Sequence, residues 1–229
     1  MIKRTVRLGS YDTAAHGWTL AGCVLTDPEQ KTQYIEKSGG DGSWDLSTVL
    51  TDGIPRYKDR SLTLTLECSQ GTRETRQQLI RDMVNTLDGF EMQIVLPDRP
   101  DYYLYGRLHV AVNYSDKAHA MVTVTSTVEP WFYRDRETIV VLEAPITAST
   151  ETAFFTLWNQ GRKVVVPTLD VVGTAHLTFN GLSIDLTTGN NYKWPALQLL
   201  PGENTLVYMG SYGSTGETVT ITYREAVLQ

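Results

Sequence analysis

Apolar and polar residues alternate with a period of two over much of the chain, which is the pattern of strands with one buried face. The clearest run is 61–68, whose apolar positions are Leu62, Leu64, Leu66 and Cys68. The runs 108–114 and 120–128 repeat the alternation, and the polar residues 115–117 separate them. These two runs therefore predict a β-hairpin.

The segment 72–88 departs from the alternation and predicts a helix. Its apolar residues recur at helical spacing, with Leu79, Met83 and Leu87 on one stripe and polar residues such as Arg76 opposite. Glu74 falls in the first turn, where the helix dipole favours an anion. Asp88-Gly89 supplies a stop, because glycine accepts the left-handed conformation. We expect this helix to pack on a sheet.

The second half of the chain predicts strands alone. The run 163–166 is expected to end at Pro167, and the run 169–172 at Gly173. Asn180-Gly181 lies between two alternating runs and predicts a hairpin with a type I′ turn. Later short runs are predicted at 197–200, 205–208 and 218–223. Many short strands with frequent turn signals predict a β-sandwich.

A charged run marks the expected boundary between two domains. Arg134–Glu137 precedes the short strand pattern 139–142. The pattern therefore predicts an N-terminal β-sandwich-like domain over 1–137 with one packed helix at about 72–88, and a C-terminal β-sandwich over 138–229.

Charge and composition exclude some classes of function. The net charge of −6 makes the chain a poor candidate for gripping nucleic-acid phosphates, which takes Lys and Arg. Cys23 and Cys68 are far apart in the sequence, so we expect two buried, reduced thiols in a protein made in a reducing cytosol, with a disulfide as the alternative. No apolar run approaches about 18 residues, so no membrane span is expected. The N-terminal residues also lack the pattern of a signal peptide.

The residues that could carry chemistry form no convincing catalytic, cofactor-binding or metal motif. None of the four His residues has a His or Cys neighbour at metal-ligand spacing, and no Gly-x-Ser-x-Gly is present. Asp41–Asp45 is only loosely similar to a calcium loop and lacks the distal Glu. We therefore expect a protein without cofactors that is not an enzyme.

Aromatic residues in the second half leave two interpretations open. Trp158, Tyr192 and Trp194 could fill the core or form a contact with a partner or a sugar. Both uses suit Trp and Tyr, which combine a large apolar ring with a polar group.

An ordered set of short motifs resembles one known family. In the first half the motifs are Asp41-Gly42, Asp45-Leu46-Ser47, Tyr57-Lys58-Asp59-Arg60, the helix ending at Asp88-Gly89, Leu96-Pro97-Asp98, Tyr102–Leu108 and Glu129-Pro130-Trp131-Phe132-Tyr133. In the second half they are Asn159-Gln160-Gly161 and Leu200–Asn204. Together they resemble the distal tail proteins of long-tailed bacteriophages (siphophages).

The resemblance implies a structural role in the virion tail tip, with synthesis in the cytoplasm of the bacterial host. It implies a homo-hexameric ring of N-terminal domains around a channel for DNA, followed by a galectin-like or carbohydrate-module-like β-sandwich. The implied partners are the tail tube protein, the tail-tip protein and receptor-binding or baseplate proteins, without specific nucleic-acid binding. Candidates for the ring contact or the domain architecture are Tyr57, Arg60, Pro130, Trp131 and Tyr133.

The second domain supports an alternative function. A carbohydrate-binding module or lectin-like adhesin would use Trp158, Tyr192 and Trp194 as its sugar contact. The chain lacks the long insertion that carries a sugar-binding module in some members of the resembling family.

Overall fold

Two sheets organise the chain, and the computed structural model describes residues 5–51, 53–113, 119–143, 152–210 and 217–229. The chain divides into two units between Pro130 and Trp131, whereas the sequence pattern placed the domain boundary near residue 137. The predicted loop at 115–117 lies outside the described residues. In the described part of the chain, no helix is long and apolar enough to cross a bilayer.

The first unit is an antiparallel sheet with one α-helix and a short 3₁₀ helix (Val49–Thr51) among its described residues. Its elements are β1 (Arg7–Leu8), β2 (Tyr11–Asp12), β3 (Thr19–Leu25), β4 (Tyr34–Glu36), β5 (Ser43–Asp45), β6 (Arg60–Cys68), α1 (Arg73–Leu87), β7 (Glu91–Val95), β8 (Tyr102–Asn113) and β9 (Ala120–Val128). The strand order of the sheet is β2-β1-β7-β8-β9-β6-β3, and β4 pairs separately with β5. The run 61–68 and the pair of runs around 115–117 are therefore confirmed as strands.

The core of the first unit follows the period-two pattern. Leu62, Leu64 and Leu66 of β6 are fully buried, and β6 pairs with β9 so that Leu64 lies opposite Val124. Intervening threonines of the same strands lie on the other face. Helix α1 packs on β8 and β9, which covers the apolar face.

Helix α1 begins and ends where its sequence predicts. The Thr72 hydroxyl accepts a hydrogen bond from the Thr75 backbone N–H at 3.3 Å, an N-cap that satisfies one of the free N–H groups of the first turn. At the other end, the Asp88 N–H donates to the Val84 carbonyl, and Gly89 takes a φ of 79°. The fold is thus mainly β with one long helix among the described residues, as predicted.

Arg76 does not lie on the exposed face of α1. Its side chain is buried on the same stripe as Met83 and Leu87, and its guanidinium donates to the Gly71 carbonyl at 2.7 Å. The helical spacing predicted the stripe correctly, but the prediction of an exposed Arg76 was wrong. An arginine can enter this stripe because it satisfies its own donors at the helix start while its methylenes pack.

The second unit is a six-stranded sheet with a two-stranded addition. Its strands are β10 (Phe132–Arg134), β11 (Thr138–Glu143), β12 (Ala153–Asn159), β13 (Thr168–Phe179), β14 (Leu182–Lys193), β15 (Gly202–Gly210), β16 (Thr218–Tyr223) and β17 (Ala226–Val227). The order is β11-β16-β13-β15-β12, with β14 on β13, while β17 pairs with β10. The buried faces enclose a core that includes Leu157, Leu177 and Tyr208.

Strand β13 is longer than the predicted run 169–172, because it spans Thr168–Phe179 and continues through Gly173. This glycine has a φ of 87°, and a Cβ there would lie 2.4 Å from the Glu217 side chain. Register shifts around Val171 bend the strand, so that its first part pairs with β16 and its last part with β15. Glycine at a bulge thus lets one strand pair with β16 along its first part and with β15 along its last part.

Two other predicted strands are reduced to a single bridge. Among the described residues, 163–166 and 197–200 pair only through Val165 and Leu199. By contrast, the turn at Asn180-Gly181 is confirmed, since its φ values are 50° and 78° and Phe179 pairs with Leu182.

Candidate functional site

The segment 29–58 leaves the sheet between β3 and β6 and forms an arm, described here for all residues except 52. At its base the Lys31 N–H donates to the Arg56 carbonyl, and the Lys58 N–H donates to the Glu29 carbonyl, both at 2.8 Å. Farther out, β4 and β5 form a hairpin in which Ile35 lies opposite Trp44. Asp41–Asp45, the loose match to a calcium loop, is the turn and second strand of this hairpin.

The arm buries none of the side chains of its hairpin. Every residue of β4 and β5 is exposed, and the large apolar side chains include Trp44 at 60% and Leu50 at 93% exposure. The Lys37 ammonium lies 5.0 Å from the centre of the Trp44 ring, a cation–π distance. A lone two-stranded hairpin is marginally stable in water, so a structured arm with an apolar face is typical of a contact surface.

Tyr57 and Arg60, two of the sequence candidates, lie where the arm joins the sheet. Tyr57 bridges to Gln30 across the base of the arm. Arg60 is only 4% exposed, and its Nε donates to the Thr26 carbonyl at 2.6 Å. Burial lowers the pKa of Arg60, but the guanidinium group still carries its charge at neutral pH. This geometry suits a residue that fixes the direction of the arm.

The two ends of the curled sheet line a cleft of about 1050 Å³. Leu20 and Cys23 of β3 lie on one side, and Arg7 and Asp12 of β1 and β2 lie on the other. The β7–β8 connection completes the lining with Val95, Leu96, Pro97, Asp98 and Pro100. The cleft is therefore mainly apolar, with carboxylates at Asp12 and Asp98.

The two cysteines are both free thiols, but they differ in exposure. Cys68 is buried, as expected, whereas Cys23 is exposed in the cleft, so the expectation of two buried thiols was wrong. Partial desolvation, with Asp98 nearby, raises the pKa of the Cys23 thiol. Cys23 is thus an accessible thiol with a low thiolate fraction at neutral pH.

A second, polar depression of about 690 Å³ lies at the C-terminal end of α1. One Asp88 carboxylate oxygen accepts the Val110 N–H at 2.8 Å and lies 2.9 Å from His109 Nδ1. The backbone hydrogen bond, with support from His109, lowers the pKa of Asp88. The hydroxyl of Ser126 donates to the Arg107 carbonyl instead of contacting His109. The pair therefore has a structural role at the end of the helix.

The described residues contain no cluster of three or more His, Cys, Asp or Glu side chains that could hold a metal ion.

The remaining ring candidates lie at the junction in the sequence between the units. Pro130 is buried in the first unit. In the second unit, Tyr133 of β10 pairs with Ala226, and its ring contacts Lys163, whose ammonium also bonds the Tyr133 hydroxyl. Trp131 is half-buried. The C-terminal segment thus holds the start of the second unit.

The three aromatic candidates for a sugar contact do not share one surface. Trp194 is only 9% exposed and belongs to the core, and Tyr192 packs against that core. Trp158 is 54% exposed on β12, an edge strand. Sequence reasoning missed Phe154, which is 71% exposed on the same face of β12. The even spacing of 154 and 158 within one strand was the signal that could have identified it.

Comparison with known proteins gives a match at the level of structure. No protein-family model matches the chain, and no curated protein matches it in sequence. Among solved structures it is similar to the crystal structure of Dit (gp 19.1) of phage SPP1, described as a paradigm of the hub adsorption apparatus in phages that infect Gram-positive bacteria. The TM-score is 0.69 at 15% identity, over 96% of this chain and 98% of that chain. The resemblance drawn from the motifs is thereby confirmed at the level of fold, and the chain has the fold of a phage Dit protein.

Proposed function

We propose that this protein is a structural component of the tail tip of a long-tailed phage. In this proposal it forms a hexameric ring that joins the tail tube to the tail-tip protein and the receptor-binding apparatus, with a central channel for DNA. The observation that carries the proposal is the shared fold with SPP1 Dit over 96% of the chain, which includes both units.

The arm gives independent support for assembly. It is an ordered hairpin that exposes Ile35, Trp44 and Leu50 and buries no side chain of its own strands. Contiguous exposed apolar surface of this kind is typical of protein contacts. A closed ring requires a heterologous contact, in which two different surfaces of each subunit meet.

The charge of the subunit is compatible with a channel for DNA. A net charge of −6 would repel phosphates, so DNA could pass the ring without being held.

The proposal is tested by the mass of the purified chain in solution, measured by light scattering with negative-stain imaging of the same fraction. We expect particles with a central hole and about six times the subunit mass of 25.6 kDa. Trp44→Glu should shift the protein to monomers, because it places a charge on the apolar face of the arm. Phe154→Glu, an equally drastic change on the second unit, should leave the rings intact. A wild-type chain that stays monomeric even with its tail tube partner would contradict the proposal.

A carbohydrate-binding function is the second candidate, supported by Phe154 and Trp158. These rings lie on one face of an edge strand, four residues or about 13 Å apart, a spacing that suits a linear glycan. Trp158→Ala should abolish retention of the protein on bacterial cell-wall polysaccharide without altering its thermal unfolding. Trp194→Ala is not a suitable probe, because it would open a cavity in the core. Equal retention of wild type and Trp158→Ala would exclude this surface as the sugar site.

A further inference from the structure

We propose that one face of the second unit binds a linear glycan that carries neither phosphate nor carboxylate groups. This glycan face is the side of β12, β15, the last part of β13 (174–179) and the first part of β14 (182–187) that points away from the core. The proposal rests on the carbohydrate-binding candidate above, and it adds the extent of the site and the class of sugar.

The pairing of the strands places an aromatic ring and a hydroxyl pair in one row across the glycan face. Phe154 of β12 lies opposite Val207 of β15, and Val207 lies opposite Thr178 of β13. Thr178 in turn lies opposite Ser183 of β14. Residues directly opposite each other in antiparallel strands share a face, so this row spans three strand spacings, or about 14 Å. The neighbouring residues along these strands, such as Leu206, are buried in the core.

Two cross-strand pairs supply fixed hydrogen-bonding groups beside the rings. Met209 lies opposite His176, which lies opposite Asp185. The His176 Nδ1 atom is 2.6 Å from a carboxylate oxygen of Asp185, and the hydroxyls of Thr178 and Ser183 are 2.8 Å apart. Sugar hydroxyls both donate and accept hydrogen bonds, so they can bond to hydroxyl, imidazole and carboxylate groups alike.

The rings of Phe154 and Trp158 supply the apolar part of the site. Both are exposed, and both lie on the glycan face of β12. A sugar ring presents a face of C–H groups, and their slight positive charge suits the negative face of an aromatic ring. Apolar rings beside a few fixed polar groups are the usual composition of a ligand site.

Charge decides the class of glycan. The described residues of the glycan face include no Lys or Arg. Glu203 lies opposite Trp158, and the Asp185 side chain is 89% exposed. A phosphate-bearing polymer would meet these carboxylates without a compensating lysine or arginine, which is unfavourable. The face therefore suits a glycan that is uncharged or carries ammonium groups.

The same composition favours a glycan over a protein as the occupant. Contacts between proteins are enriched in Arg and depleted in Ser, Asp and Glu. The glycan face instead surrounds its two rings with carboxylates and hydroxyls, the latter from Thr156, Thr178, Ser183 and Thr205.

The test uses the purified full chain on an array of bacterial cell-wall and capsular glycans. The array is sorted into neutral, ammonium-bearing, and phosphate- or carboxylate-bearing glycans, and we expect retention on the first two classes alone. Titration calorimetry with the best-retained glycan then compares variants. Trp158→Ala and Phe154→Ala should each raise Kd by about tenfold, because each removes one stacking ring. Thr178→Val keeps the shape of the side chain and should raise Kd by a smaller factor.

A charge reversal tests the specificity directly. Glu203→Lys combined with Asp185→Lys should gain retention on phosphate-bearing glycans and lose it on ammonium-bearing ones. Ile139→Ala is the matched control, since Ile139 is 62% exposed on β11, outside the glycan face. It should bind as the wild type does. Thermal unfolding of each variant checks that the fold is intact.

Three outcomes would overturn the proposal. They are an array that retains the protein on no glycan or on acidic glycans alone, equal Kd values for wild type and Trp158→Ala, and a tail protein that co-purifies with wild type but not with Phe154→Ala while the array retains nothing. The last outcome would make the face a protein contact. None of them affects the ring, and a chain that binds glycan but forms no ring would overturn the ring proposal alone.

Discussion

Arg134→Met is expected to lower the free energy of unfolding of the second unit by about 3 kcal/mol, because it strands a buried carboxylate. Arg134 donates to Glu225 Oε2 at 2.5 Å, and the Glu225 side chain is buried. The Gln160 N–H also donates to Glu225, at 3.1 Å, but one neutral donor cannot replace the lost cation. The guanidinium of Arg134 is itself partly exposed, which places the loss at the low end of the range for buried pairs.

This ion pair matters because it anchors the C-terminal segment. β17 pairs with β10, and the Arg134 N–H donates to the Glu225 carbonyl at 2.9 Å. Arg224 reinforces the contact through the carbonyls of Arg134 and Asp135. Loss of the pair should therefore loosen both ends of the second unit together.

The measurement is urea unfolding followed by pulsed hydrogen exchange and mass spectrometry, which reports the two units separately. Arg162→Met serves as the matched control, since Arg162 is exposed and joins the C-terminal segment through its backbone N–H. Its effect should stay within about 0.5 kcal/mol. A double change of Arg134→Met with Glu225→Gln should recover part of the loss, because the buried charge is gone. Equal stability of wild type and Arg134→Met would refute the anchoring role.

Asn159→Ala is expected to destabilise the second unit by a similar amount, about 3 kcal/mol, through buried polar groups that lose their partner. Asn159 is almost fully buried, and its amide nitrogen donates to the carbonyls of Lys163 and Leu199 at 2.8 and 3.0 Å. Its amide oxygen accepts the Gly161 N–H at 3.0 Å. One side chain thus satisfies three backbone groups. These groups belong to two loops that have no continuous ladder of strand hydrogen bonds.

Asn190→Ala is the control for this change, because Asn190 is exposed on β14 of the same unit. It should be neutral within about 0.5 kcal/mol. Thermal unfolding by calorimetry checks both variants, together with hydrogen exchange of the Gly161 amide, whose N–H the Asn159 oxygen accepts. Unchanged stability and unchanged exchange at this amide in Asn159→Ala would show that water replaces the side chain without cost.

Asn159 also explains the motif Asn159-Gln160-Gly161, which could be interpreted from the sequence only through its resemblance to a known family. Gly161 follows it because a Cβ at this position would lie 2.5 Å from the Ala226 carbonyl oxygen. Asn-x-Gly therefore encodes a hydrogen-bonded turn and a close approach of the C-terminal segment. The turn itself is local, but the contacts with Leu199 and with the C-terminal segment are not visible from spacing, since those partners lie 40 and 65 residues away along the chain.

Local sequence patterns determined those helices, strands and turns whose formation depends on residues only a few positions apart. The alternation of Leu62 to Cys68 predicted β6, the capping residues Thr72 and Gly89 bounded α1, and Asn180-Gly181 predicted a turn with two positive φ values. Periodicity and backbone preference act between near neighbours, so the sequence carries them directly.

Tertiary structure alone decided which surfaces remain exposed. Arg76 and Trp194 are buried, whereas Cys23, Trp44 and Phe154 are exposed, although residue type and local pattern favoured other outcomes for several of them. The continuation of β13 through Gly173 likewise depends on two distant strands that pair with it. Whether a side chain is buried depends on which other parts of the chain pack against it. The sequence of one strand does not by itself determine which distant strand it pairs with. For that reason the sequence determined the β-rich fold and the helix α1, while only the folded chain revealed the arm and the cleft.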